Sequence, residues 1–345
     1  MTARSTGVEV RPYSQSQGEY SDESDVLKLR EQCFPEILGT ERESLEYWRW
    51  KHGTIDVEID RTAWVCRNIE SGNLLGYYSA VLMPYLSPSG RLRIGLVCDV
   101  MTAPEARGQG IFTAIGHIAT SEMLTSHFDW LTGYPIRENV LPGHRKVGWF
   151  FTHKLPIYVS VGGTISWVRS TCSRVKDGIS VNVSEPKILT VEDGFSTFCE
   201  NWELEAKDKG LLYLDLHEKF VKWRYSPPGI EYVSFIARNR AGEMIGYLIA
   251  RKMKVGRIWI VAVGDIRVTS RTTTSFLILA MTRHFNQRNM IFAGMFSDEV
   301  VRATGINKCG FFKTYKKFQL ILKSNDVEMM GSVRPYLSWS DTDDM

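Results

Sequence analysis

The spacing of apolar residues switches between two and about 3.6 along the chain, and each switch marks an element. Val8-Glu9-Val10-Arg11 alternates and predicts a first strand, followed by a polar Ser/Gln/Gly/Asp loop. Residues 25–32 carry Val26, Leu27 and Leu29 in a helical pattern, and a second short helix follows Thr40, where Ser44-Leu45-Glu46-Tyr47-Trp48 leads into Arg49-Trp50-Lys51. Three β-type blocks come next, at 62–67, 75–83 and 92–102, with Glu70-Ser71-Gly72-Asn73 as the hairpin connection between the first two. Gly108-Gln109-Gly110 then opens a helix running to about Leu124, with Ile111, Phe112, Ile115, Ile118, Ala119 and Met123 at helical spacing. A strand at 128–134, a short helix near 141–147 and strands from Trp149 onward complete the first half.

The second half repeats this order. Ala63-Trp64-Val65-Cys66-Arg67-Asn68 and Leu75-Gly76-Tyr77 align with Ser234-Phe235-Ile236-Ala237-Arg238-Asn239 and Ile245-Gly246-Tyr247. Trp48-Arg49-Trp50 pairs with Trp223-Arg224-Tyr225, Val97-Cys98-Asp99-Val100 with Val263-Gly264-Asp265-Ile266, and Val147-Gly148-Trp149-Phe150 with Cys309-Gly310-Phe311-Phe312. Anchors in the same order at loop-sized differences in spacing point to a duplicated domain. The expected division is 1–172 and 187–330, with a polar linker at 173–186 and a tail at 331–345.

Bulk properties narrow the class. A length of 345 residues favours two cores over one, and the formal charge of +3 gives no field for nucleic acid or a membrane surface. Six cysteines without a CxxC pair, mostly beside apolar residues, suit buried thiols in a reducing compartment. No signal-peptide core and no run of 18 apolar residues is present, so the cytoplasm is the expected location. No His/Cys/Asp/Glu spacing matches a metal site, and none is expected.

The chemistry concentrates at residues 97–112. A strand ends, Pro104 stops its ladder, and a loop brings Arg107 to two glycines at a helix mouth. First-turn N–H groups lack intrahelical partners and the helix dipole favours an anion there. Gly108 and Gly110 let phosphate oxygens approach the backbone, and Arg107 adds a fixed charge. The stretch matches neither the P-loop nor the dinucleotide fingerprint, and on its own it reads equally as a tight strand-to-helix turn.

In the setting of the surrounding elements, Arg107-Gly108-Gln109-Gly110-Ile111-Phe112, with Asn139 and the later Gly148-Trp149, resembles the GNAT superfamily of acyl-CoA-dependent N-acyltransferases. Phe112 departs from that loop pattern, where a small residue is usual, and its ring is expected to point into the core. The resemblance implies an α/β fold of two tandem GNAT-like domains, each a mixed, mostly antiparallel sheet flanked by helices. It implies an acetyl-CoA (or other acyl-CoA) site in the first domain. There the pyrophosphate would sit on Arg107, Gly108, Gln109, Gly110, Ile111 and Phe112. The pantetheine arm would meet the strand backbone at Cys98, Val100 and Met101, and Asn139 would contact the arm from beyond the strand at 128–134. The family's acid is frequently a tyrosine four residues before the Gly-Phe pair, where this chain has His144; the residue reads either as that acid or as a packing residue. For a base, Glu138 is preferred over Asp99, because the matched Asp265 lies in a half without the loop and so argues for a structural aspartate.

At the corresponding place the second half reads Val268-Thr269-Ser270-Arg271-Thr272-Thr273-Thr274, without glycine, and is expected to bind no acyl-CoA. The two Trp-Arg-aromatic motifs read better as helix packing than as an aromatic cage. The implied reaction is acyl transfer by direct attack of a small-molecule primary amine, of an amino sugar or amino acid, on the thioester. The alternatives are an aminoacyl-tRNA-dependent two-domain transferase and a non-catalytic acyl-CoA-binding protein. Neither the acceptor nor the oligomeric state is legible in the residues.

Overall fold

The computed structural model describes residues 7–14, 22–53, 62–161, 178–285, 290–326 and 333–342. Its elements follow the apolar periods within a few residues of the expected ends, and they sort into two units.

Unit 1 comprises Met1–Met83, Leu92–His153 and Gln319–Val327. Its sheet runs in the order β1 (Val8–Pro12), β2 (Thr62–Asn68), β3 (Leu74–Ser87), β4 (Gly90–Thr102), β5 (Trp130–Gly133) and the end of β13 (Phe312–Ser324). The pairs β1–β2, β2–β3 and β5–β13 are antiparallel, whereas β4–β5 is parallel. Helices α1 (Asp22–Cys33), α2 (Leu45–Lys51), α3 (Ile111–Ser126) and α4 (Leu141–Lys146) flank it. In α3, Ile111, Ile115, Ala119 and Met123 recur every fourth residue and are buried in the core with Trp48, Tyr77 and Tyr78. Gly116 lets α4 approach: a Cβ there would meet Val147 at 2.9 Å.

Unit 2 comprises Pro84–Arg91, Lys154–Phe318 and Glu328–Met345. Its sheet order is β6 (Phe150–Val161), β12 (Ile291–Met295), β11 (Ile258–Val268), β10 (Met244–Val255), β9 (Tyr232–Arg238) and β7 (Ser180–Ser184). Again one pair, β11–β12, is parallel among antiparallel neighbours. Its helices are α5 (Phe195–Asp208), α6 (Glu218–Arg224), α7 (Arg271–His284) and α8 (Asp298–Thr304). The order β9–β10–β11–α7–β12–α8–β13 repeats β2–β3–β4–α3–β5–α4–β6. Each unit is thus a mixed, mostly antiparallel sheet flanked by helices.

The units do not follow a single cut in the sequence. The boundaries expected at 172–173 and 330–331 lie outside the described residues. The expected linker contains β7, which pairs with β9 from Ser180↔Arg238 to Ser184↔Ser234. The expected tail is structural: β14 (Arg334–Pro335) pairs with β8 (Leu211–Leu214), and Tyr336, Leu337, Trp339 and Asp341 are buried. Its Tyr, Leu and Trp side chains give this stretch enough apolar surface to pack. No helix among the described residues is long and apolar enough to cross a membrane.

Candidate functional site

Three local decisions in unit 1 build the site. First, β4 and β5 pair only at Ile94↔Trp130, Gly95↔Leu131 and Leu96↔Thr132, so the pairing ends before β4 does. Second, Asp99 takes φ +48°, alone among described non-glycine residues in the left-handed region. Third, the chain leaves β4 through a 3-10 turn, Pro104–Ala106, and enters α3 through Gly108 (φ +78°) and Gly110 (φ +81°). Gly110 is the N-cap of α3 and has no side chain to offer the first-turn N–H groups. The space where Cβ atoms of Gly108 or Gly110 would lie holds nothing within 4 Å. Arg107, Gly108, Gln109 and Gly110 are exposed, and the Gln109 side chain folds back to donate to the Glu105 carbonyl at 2.9 Å.

Not every backbone group of β4 faces the open side. The Cys98 carbonyl accepts from Ser79 Oγ at 2.8 Å, and the Met101 carbonyl lies 3.3 Å from where a Gly76 Cβ would sit, so both turn to β3. The Ala103 N–H donates to Leu75 on the same side. Alternation then turns the peptide groups of Val100 away from β3, toward the side where β5 no longer pairs. Of the three strand residues singled out from the sequence, Val100 is the one with its backbone on that side.

Phe112 does point inward, as expected: its ring stands edge-on to His144, 5.1 Å between centroids, and packs over Gly143. His144 is wedged between Phe112 and Trp149 (5.6 Å), and burial pushes its pKa down to about 4. Its imidazole is neutral at pH 7 and holds no proton of useful acidity. This favours the packing role over the acid role. Glu138 and Asn139 lie exposed on a 3-10 turn, Glu138–Val140, beyond β5. Beside them, the Arg137 guanidinium donates to the Cys33 carbonyl at 3.1 Å and pairs with Glu36 at 2.7 Å. From β13, Lys323 Nζ donates to the carbonyl of Val147 and to Thr120 Oγ1, fixing the turn after α4 against α3.

Reading the sequence for motifs missed a buried polar cluster of unit 1. Asp99 Oδ2 meets Lys51 Nζ at 2.7 Å and His52 Nε2 at 3.0 Å, and the side chains of all three are nearly or fully buried. Burial pushes the Asp99 carboxyl up, but Lys51, His52 and Arg30 outweigh it and hold it well below the usual range. Asp99 is thus engaged by buried cations, and these partners lie some 47 residues away and carry no motif. His52, Cys98 and Asp99 also bring ligand atoms within 4.8 Å of one another, which spacing did not reveal. There the Lys51 ammonium already supplies the cation.

Unit 2 uses the same frame differently. Pairing of β11 with β12 ends at Val263↔Gly294, and Asp265 accepts from Tyr247 Oη and from the Ile266 N–H. Past that point, residues 336–342 lie against both strands. Tyr336 Oη donates to the Ile266 carbonyl, Ser297 and Leu337 exchange hydrogen bonds, and Ser338 bridges Phe296. Arg224 donates to the carbonyls of Ser340 and Thr342, and Tyr85 Oη to Asp341. Helix α7 starts at Ser270, whose Oγ accepts from the Thr273 N–H, so its first turn is capped from within the chain.

The helix caps also correct the alignment of the aromatic motif. Ser44 caps α2 and His217 caps α6, each accepting from the N–H three residues on. Counting from the caps, Trp48 matches Val221, Lys51 matches Arg224 and His52 matches Tyr225, and the buried positions agree. The Trp-Arg-aromatic similarity is therefore out of register by two residues. Trp48 is fully buried, in keeping with packing, while Trp223 is not.

A family model described as an acetyltransferase (GNAT) domain matches residues 16–151. No curated protein sequence matches the chain. Among solved structures, a GCN5-related N-acetyltransferase from Anabaena variabilis ATCC 29413 superposes with a TM-score of 0.65 at 15% identity, covering 93% of this chain and 74% of that one. A conserved protein of unknown function from Enterococcus faecalis V583, given as a probable N-acyltransferase, has a TM-score of 0.64 at 13% identity, with coverages of 94% and 74%. A GCN5-related N-acetyltransferase from Kribbella flavida gives 0.63 at 12% identity, with 94% and 73%. Residues 16–151 of this chain are thus similar to the acetyltransferase (GNAT) domain family.

Proposed function

We propose that the chain is an acyl-CoA-dependent N-acyltransferase with one donor site, in unit 1, acetyl-CoA as donor and the primary amine of a small molecule, such as an amino sugar or amino acid, as acceptor. The observation that carries this reading is a β4 edge left unpaired beside a helix start that the chain does not cap itself. The residues present fit the donor. Backbone amides from Gly108 to Phe112 and the Arg107 guanidinium suit its pyrophosphate, and the openness around Gly108 and Gly110 admits it. Val100 suits the pantetheine arm, with Cys98 and Met101 shaping the strand behind it and Asn139 beyond β5.

Bound there, the donor supplies a thioester carbonyl open to direct attack by the amine. The chain's task is to hold that carbonyl, orient it against strand donors and take a proton from the amine. Glu138, exposed beyond β5, is our candidate for proton removal through water. His144 has a packing role under Phe112, and the departing thiolate takes its proton from solvent. Unit 2 reads as a duplicated GNAT-like domain whose donor cleft has been given over to the chain's own residues.

Calorimetric titration with acetyl-CoA and a colorimetric thiol assay over a panel of amines test this together. One equivalent bound per chain, with thiol released for at least one amine, is the expected result. Two equivalents would overturn the single site. Binding without thiol release for any amine would make the chain an acyl-CoA-binding protein instead.

A further inference from the structure

A left-handed residue in the middle of a strand needs a reason when it is not glycine. Asp99 is such a residue, and it stands one position before Val100, at the stretch where β4 runs on without β5. Its carboxylate is gripped by the end of α2, by Lys51 Nζ at 2.7 Å and His52 Nε2 at 3.0 Å, with the Arg30 charge on α1 adding to the hold. The end of α2 is itself fixed. Ser44 caps α2, Trp48 is fully buried in the core, and the His52 ring lies on Trp48 with centroids 4.0 Å apart.

Unit 2 provides the contrast. There the register of β10 and β11 shifts between Ile249↔Asp265 and Ala250↔Val263, so the extra residue is Gly264, the match of Cys98, and neither it nor Asp265 enters the left-handed region. Asp265 is held by Tyr247 and by its own strand. The residues matching Lys51 and His52, Arg224 and Tyr225, are turned to Ser340 and Thr342 instead. The charged grip from the second helix on the strand thus accompanies the left-handed kink at Asp99; in unit 2, where the matching Asp265 is not left-handed, the second helix holds Ser340 and Thr342 instead.

We propose that Lys51 and His52 are positioning residues that act through Asp99: by clamping its carboxylate they hold β4 in its left-handed kink and keep the Val100 backbone presented to the acyl donor. The proposal rests on the acyl-donor reading of that strand edge. Lys51 and His52 need touch no reactant, since their effect travels through the conformation of one residue.

The test compares the full-length wild type with Lys51→Met, Asp99→Gly and the double variant. Two quantities are measured, acetyl-CoA affinity by calorimetry and hydrogen exchange of the peptide spanning residues 97–103 without ligand, with thermal melts to monitor folding. Lys51→Met strands a buried carboxylate and is expected to weaken acetyl-CoA about tenfold, the scale of one or two lost backbone hydrogen bonds, and to speed exchange at 97–103. Adding Asp99→Gly removes the stranded charge and supplies a residue at ease with φ +48°. The double variant is therefore expected to recover affinity to within about threefold of wild type, together with slow exchange. A purely structural ion pair would give no such rescue. Lys51→Met with wild-type affinity and exchange, or a folded double variant no better than Lys51→Met, overturns the clamp. A wild type that binds no acetyl-CoA overturns the donor reading instead, and the exchange data still decide whether the clamp holds the strand.

Discussion

Units 1 and 2 each run a strand past the end of its parallel partner and then start a helix, yet they treat the exposed groups in opposite ways. In unit 1 the helix begins at Gly110, which has no side chain to satisfy the first-turn amides, and the strand edge after Leu96 has lost β5. In unit 2 the Ser270 hydroxyl satisfies the corresponding amide, and residues 336–342 supply partners to Ile266 and Ser297. Even the matching cations diverge, Lys51 holding the strand and Arg224 holding the inserted segment. The lesson is that the frame alone does not make an anion site. Competence depends on whether the polar groups it exposes are left for a ligand or consumed by the chain.

The largest effect that would test this contrast is in unit 2. Trp339 is buried in the inserted segment, and Trp339→Ala is expected to cost about 3–5 kcal/mol, read as a lower melting temperature. Acetyl-CoA affinity of the folded variant is expected to stay within about threefold of wild type. A variant that melts normally but loses the donor would sink the division of labour. Next comes the loop itself. A β-branched residue is badly strained at φ +81°, and its side chain would project into the open space at the helix mouth, so Gly110→Val is expected to weaken acetyl-CoA by about 100-fold or more. Ser270→Gly in unit 2 is expected to create no second site, because residues 336–342 still cover the strands. A second equivalent of acetyl-CoA on calorimetry would contradict that.

His144 sharpens the picture of unit 1 with a smaller effect. Its folded pKa of about 4 lies below the ordinary 6.5, so the unfolded chain binds more protons between those values. Stability is full above pH 6.5 and falls as the pH drops toward 4, by roughly 2 kcal/mol between pH 7 and pH 5. His144→Phe is expected to remove that acid-side loss in urea melts while leaving turnover within about threefold. A tenfold fall in turnover would restore the histidine to the chemistry.

What the residues announced in advance follows from how local the signal was. Gly108, Gly110 and the apolar face of α3 sit within one turn or one period of each other, so loop and helix were legible without a structure. The repeat was legible too, because Asp99 and Asp265 lie in matching apolar strands. The aromatic motif misled by two residues, since tryptophan identity is conspicuous while the caps Ser44 and His217, which set the true register, share no chemistry as letters. The Lys51–His52–Asp99 cluster joins residues far apart along the chain, and no short pattern encodes such a meeting. Which of Cys98, Val100 and Met101 faces outward depended on a single left-handed residue, and composition and periodicity are blind to that. Residues 331–345 carry no apolar period that marks an element, and Trp339 and Tyr336 provide their anchors.

The smallest effect concerns how firmly that segment is held. Burial raises the Asp341 carboxyl to about 7, and Asp265 adds to the rise. The Tyr85 hydroxyl and the Ser338 N–H and hydroxyl favour the charged form without reversing it. Because the folded pKa lies above the ordinary 3.8, the folded chain keeps its proton where the unfolded chain has lost it. Stability contributed by this group is therefore fully present below about pH 4, declines as the pH rises, and is lost once the pH passes about 7. Between pH 6 and pH 8 the decline amounts to roughly 1.4 kcal/mol. Hydrogen exchange of residues 336–342, normalised for the intrinsic rate at each pH, is expected to lose about tenfold of its protection over that interval. Protection at 97–103 has no reason to change with it, since the Asp99 carboxyl is held well below that range. Equal loss in both stretches would mean that the pH acts on the whole fold rather than on the inserted segment, and the contrast between a self-satisfied cleft and an open one would lose its physical basis.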